Sequence, residues 1–151
     1  MKPTLKKLIG LREQSKAGFA AIRGVNDRIF EIREQMQRDK MHALRHVAHL
    51  GSGPFRVALE RAISSRRPED ALPLIDAELA SAKSSNWRMT LNALRTPLED
   101  LATAAVAIAE LETEVKRMSE ENRPIGHVFE NCKKFALEKG LITHHEVNKW
   151  L

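Results

Sequence analysis

Two stretches of this chain, residues 5–50 and 87–122, space their apolar residues three and four apart for most of their lengths. In the first, Ile22, Val25, Ile29, Ile32 and Met36 alternate in that rhythm. In the second, Leu91, Leu94, Leu98, Leu101, Ala105, Ile108 and Leu111 nearly repeat it. A 3.5-residue period keeps one apolar seam turned toward a partner helix, and both stretches are strongly charged elsewhere. The pattern predicts long helices zipped side by side. It assigns no chemistry.

Composition agrees. Ala, Leu, Glu, Arg and Lys dominate, there is no Tyr, and no run of Val, Ile or Thr alternates with the two-residue period of a half-buried strand. The expected fold is all-α: an elongated antiparallel helical bundle, or coiled-coil hairpin, pairing residues 25–50 with 98–118. Residues 1–122 form the bundle, with long helices over about 4–50 and 87–122 joined by short ones. Residues 123–151 form a C-terminal helical hairpin that acts as a docking arm.

Glycine and proline mark the boundaries. Pro3 opens the first helix, and Gly10, Gly18 and Gly24 interrupt it, each at a cost of about 1 kcal/mol relative to alanine. Three of them predict a frayed or kinked start, or close approach of another backbone. Gly51-Ser52-Gly53-Pro54 ends that helix and starts a short one, because glycine suits the C-terminal cap and proline the first turn. Glu69 and Asp70 place negative charge at a further helix start. Asn86 is the expected N-cap of the second long helix. Thr96-Pro97-Leu98-Glu99 reads as a kink or a restart, and Asn122-Arg123-Pro124 as that helix's end. Thr143 and Glu146 form a capping box, with Ile142 and Val147 placed as its hydrophobic staple.

Charge is uneven. Residues 1–67 hold 15 Lys and Arg against 6 Asp and Glu, a net of +9, while residues 68–151 hold 10 against 14, a net of −4. Through residue 25 only Glu13 offsets Lys2, Lys6, Lys7, Arg12, Lys16 and Arg23. Such a cluster gains by displacing counterions from a nucleic-acid backbone. Arg66 and Arg67, with Arg56 and Arg61, extend that surface if the short second helix folds back beside the first. The plainer reading is a solvated face that keeps the chain in solution, and the cations show no interleaved aromatic residues for base stacking.

Other constellations carry less. His42, His46 and His49 fall within about 60° on one helix face, a spacing that suits shared metal ligation, yet that face is turned away from the seam and offers no further element as ligand. The expectation is therefore no bound metal and no cofactor. Ala136 and Gly140 have helix-turn-helix spacing, but Glu146 and Lys149 stand where that motif buries apolar groups. Ile142, Val147, Trp150 and Leu151 read instead as an apolar anchor that docks on the bundle or on a partner. The single cysteine, Cys132, is flanked by Lys133 and Lys134 but lies on an apolar face, as a structural cysteine would.

No nucleophile, acid–base pair or phosphate loop stands out, so no enzyme activity is expected. No secretory signal or membrane span is visible, and a cytoplasmic location with no membrane contact is the expectation. Thin apolar seams make self-association the expected state. Two functions follow. One is an oligomeric accessory protein that grips nucleic acid through its basic N-terminal half. The other is an adaptor, chaperone or inhibitor that binds a partner protein through the seam or the C-terminal apolar helix.

Overall fold

A computed structural model describes residues 1–151, and the chain is all-α with no strand. Five helices follow one another: α1 (Pro3–Ala48), α2 (Pro54–Ile63), α3 (Ala71–Ser81), α4 (Ser85–Glu138) and α5 (His144–Trp150). They build two compact units. A central unit contains Ile29–Glu110, and a terminal unit joins Met1–Arg28 to Leu111–Leu151. Both long helices contribute to each unit.

In the central unit, Ala43, Val47 and Leu50 of α1 and Leu91, Leu94, Leu98 and Leu101 of α4 share one buried cluster. These are seam positions read from the three-and-four spacing. Leu59 and Ile63 of α2 and Ala71 and Ile75 of α3 complete the same core, so the short helices supply apolar surface that a two-helix seam lacks. Pro54 takes the first turn of α2 after Gly53, and a 3-10 turn over Pro68–Asp70 leads into α3. Trp87 packs edge-on against Phe55 at 5.9 Å and donates its indole N–H to Glu78 Oε1 at 3.2 Å. Arg95 of α4 bridges Asp76 of α3 and Glu99, which holds its guanidinium pKa above the ordinary value, the Glu99 hydrogen bond contributing most.

Two local expectations change here. The N-cap of α4 is Ser84, whose Oγ accepts the Trp87 N–H at 3.4 Å; Asn86 already lies inside the helix. At Thr96-Pro97, expected as a kink or a restart, the helix does not restart, because Leu94, Leu98 and Leu101 bury on one face straight through the proline.

In the terminal unit, Leu5 and Leu8 of α1 bury against Ala136 of α4 and Ile142, with Ile9, Phe129, Cys132, Leu137, Val147 and Leu151 packed around them. A third expectation fails at this point: α4 does not close at Asn122-Arg123-Pro124 but runs on to Glu138. Proline in a helix interior forfeits one hydrogen bond and crowds the carbonyl four residues back, a cost of about 3 kcal/mol. Pro124 is exposed, so the carbonyl it leaves unpaired is not sealed from water. On either side of it α4 remains packed on α1, through Asn122 against Ser15 and Gly18 and through the Phe129–Ala136 face against Leu5 and Leu8. That burial holds the helix together across the proline. The C-terminal hairpin accordingly consists of the last turns of α4 and α5.

The turn between them is tightly specified. Gly140 takes φ +67°, Gly140 N–H donates to the Leu137 carbonyl at 3.1 Å and Leu141 N–H to Ala136 at 2.9 Å, a Schellman ending that requires the left-handed glycine. The capping box then forms as expected: Thr143 Oγ1 accepts the Glu146 N–H at 3.2 Å, and Glu146 Oε1 accepts the Thr143 N–H at 3.3 Å. Lys2 Nζ donates to the same carboxylate at 2.8 Å, joining the first residues of the chain to the last helix. This lysine first, and the Thr143 hydrogen bonds after it, hold the Glu146 carboxyl below the ordinary glutamate pKa.

Asn122 is the buried polar residue of the chain. Its Nδ2 donates to the Ser15 carbonyl at 3.4 Å, and its Oδ1 has no hydrogen-bond partner. A Cβ on Gly18 would lie 2.1 Å from that oxygen. Of the three glycines in α1, only Gly18 answers to a close approach, and the group that approaches is a side chain. Gly10 and Gly24 face open space.

Three outcomes test this description. Pro124→Ala restores an N–H inside a continuous helix and is expected to raise the melting temperature; a helix that ended at Asn122 would gain nothing. Gly18→Ala is expected to destabilise the protein by about 1–3 kcal/mol despite alanine's better helix propensity. In an Asn122→Ala background the same change should stabilise, and an additive double-mutant cycle would refute the contact. Because the folded Glu146 pKa is depressed, its stabilisation is full above the ordinary glutamate value of about 4.3 and fades as pH falls through the lower folded value. Glu146→Gln should therefore shrink the loss of thermal stability between neutral and acid pH, measured by circular dichroism.

Candidate nucleic-acid interface

On α1, Arg12, Lys16, Phe19 and Arg23 follow a spacing of four, three and four, which puts them within about 60° on one face. Phe19 is 58% exposed among these cations. It packs in neither of the two buried clusters. Across from this face, α4 presents Arg123 and His127. Arg12, Phe19, Asn122, Arg123, His127 and Phe129 are among the residues lining a groove of about 590 Å³ within the terminal unit. Gly126 lies on the α4 side, where a Cβ would meet Ser15 Oγ at 3.9 Å, so small residues face each other here.

The groove's charge is largely uncompensated. Of the cations lining it, Arg12 and Arg123 form no ion pair, nor do Arg23 on the same face of α1 or Lys6 and Lys7 nearby in sequence. Lys16 meets Glu13 only at 3.9 Å, both side chains being well exposed, a contact of small worth in water. The one carboxylate lining the groove, Glu130, is paired to Lys133 at 2.9 Å. Arg117, by contrast, is held by Glu114 and by Glu121 at 2.6 Å; these partners raise its pKa, and it lowers that of Glu114. It is not a free cation.

The two units also regroup the charge. The terminal unit carries 14 Lys and Arg against 9 Asp and Glu, a net of +5, and the central unit 11 against 11. Thus Lys2, Lys6, Lys7, Arg12, Lys16 and Arg23 belong to one unit, with Lys2 occupied by Glu146. Arg66 and Arg67 belong to the other, because α2 packs beside the C-terminal end of α1. Arg67 is further engaged by Glu69 at 3.4 Å and Asp70 at 3.7 Å. Phe19, Arg123 and His127 escaped the sequence reading. Phe19 corrects the expectation that no aromatic residue interleaves with the cations, since it lies between Lys16 and Arg23 on their face and was legible there, whereas Arg123 and His127 needed α4 to continue through Pro124.

The C-terminal apolar residues divide. Ile142 is buried, and Val147 and Leu151 pack in the terminal unit's own core, so these three anchor α5 to the chain itself. Trp150 remains 45% exposed, with Lys149 Nζ 5.1 Å above its ring. Beside that core, Pro3, Lys7, Leu8, Cys132, Phe135 and Leu141 line part of an apolar groove of about 490 Å³. Cys132 is a half-buried free thiol.

In the central unit His42, His46 and His49 are all exposed. The Nε2 atoms of His42 and His46 are 3.1 Å apart with the rings edge to face. Nowhere do three His, Cys, Asp or Glu side chains gather as a metal site would require. No helix is long and apolar enough to cross a membrane. No protein-family model, curated protein or solved structure matches this chain.

Proposed function

We propose that this chain is a non-enzymatic accessory protein that contacts nucleic acid through the basic face of its terminal unit. The observation that carries the reading is the set of unpaired cations Lys6, Lys7, Arg12, Arg23 and Arg123 in a unit of net charge +5, the other unit being neutral. Phosphates satisfy such cations, and counterion release drives the association. Self-association belongs to the same proposal. Phe30, Met89 and Val106 in the central unit are large apolar side chains left exposed, which a second copy would cover.

The adaptor reading has support of its own in the exposed Phe135, Leu141 and Trp150 of the terminal unit. Charge distinguishes the two. Binding of a labelled oligonucleotide should weaken steeply with salt, and replacing Lys6, Lys7, Arg12 and Arg23 together by glutamine should reduce the slope of log K against log salt by roughly 3. If those replacements are silent and Trp150→Ala removes capture of a partner protein, the adaptor reading replaces this one.

A further inference from the structure

Resting on the nucleic-acid reading, the geometry points to a single strand, with Phe19 as the platform on which a base stacks. Three observations converge. Phe19 is exposed although it sits next to a packed helix pair, so its ring face is available to a ligand. Arg12 and Arg23 flank it along one helix face, about 16 Å apart along the axis, and neither has a carboxylate partner. Arg123 and His127 line the groove's other side, so a strand lying in it meets positive charge from two helices and an aromatic ring between them.

These features suit a single strand better than a duplex. In a duplex the base faces are sealed inside the stack, and an approaching helix meets sugar and phosphate. Phe19 would then be pressed against a charged surface, which has no use for an aromatic ring. A single strand offers both partners at once: phosphates for the arginines and an unstacked base for Phe19. Base–aromatic stacking tolerates any sequence, because every base has a π face, so the recognition is expected to be weakly selective among bases. Glu130 sits in the groove as a carboxylate held by Lys133 and leaves the cations in excess.

Fluorescence anisotropy on the full chain tests this, using a mixed-sequence DNA strand of about 16 nucleotides, the same sequence as RNA, and the DNA annealed to its complement. At low salt at least one single strand should bind about tenfold more tightly than the duplex. Phe19→Ala should weaken single-strand binding about tenfold and leave duplex binding and helicity unchanged, while Phe19→Trp should retain it. Duplex affinity equal to or above that of both single strands would overturn the inference, as would a silent Phe19→Ala. In either case salt-dependent binding would persist and the phosphate grip would stand. Failure of all three probes to bind would remove the nucleic-acid reading and this inference together.

Discussion

Burial of aliphatic side chains between antiparallel stretches of α1 and α4 is the constraint on which everything else depends. In the central unit that burial places Ala43, Val47 and Leu50 with Leu91, Leu94, Leu98 and Leu101, and in the terminal unit Leu5 and Leu8 with Ala136. Helix propensity alone would not carry α4 across two prolines, since each removes a hydrogen bond from its interior. Packing on both sides of each proline does. The continuous helix then brings residues far apart in sequence, Phe19 and His127 among them, to one groove.

A seam made only of aliphatic groups specifies alignment weakly, because sliding by a heptad keeps grease against grease. Asn122 breaks that degeneracy. Its amide is satisfied by the Ser15 carbonyl and accommodated by the absent side chain of Gly18, a combination available at one register. Its Oδ1 meets no donor among the protein's own groups. The Lys2–Glu146 pair and the Schellman turn at Gly140 fix the chain ends of the same unit.

The electrostatic arrangement follows from that alignment. Where α1 and α4 carry acidic and basic residues one turn apart, as at Glu114, Arg117 and Glu121, charge is neutralised within the helix. On the Arg12–Arg23 face it is not, and α4 adds Arg123 there instead of a carboxylate. An uncompensated cationic strip around an exposed phenylalanine costs stability through self-repulsion and solvent-exposed apolar area.

How far the sequence reached depended on how local each interaction is. The seam, the all-α class, the break at Gly51–Pro54 and the Thr143–Glu146 capping box are set by residues within a few positions of one another, and they were legible as periodicity and caps. The end of α4, the role of Asn122 and the division of charge were not. Local rules read Asn122-Arg123-Pro124 as a stop, and contacts with Ser15, Gly18, Leu5 and Leu8, more than 100 residues away, override them. Likewise, summing charge by position put Arg66 and Arg67 with the N-terminal cations, whereas folding assigns them to another unit. The sequence by itself determined which faces are apolar, because that depends on spacing along one helix. The tertiary structure decided which polar groups face one another, because that depends on the register between two.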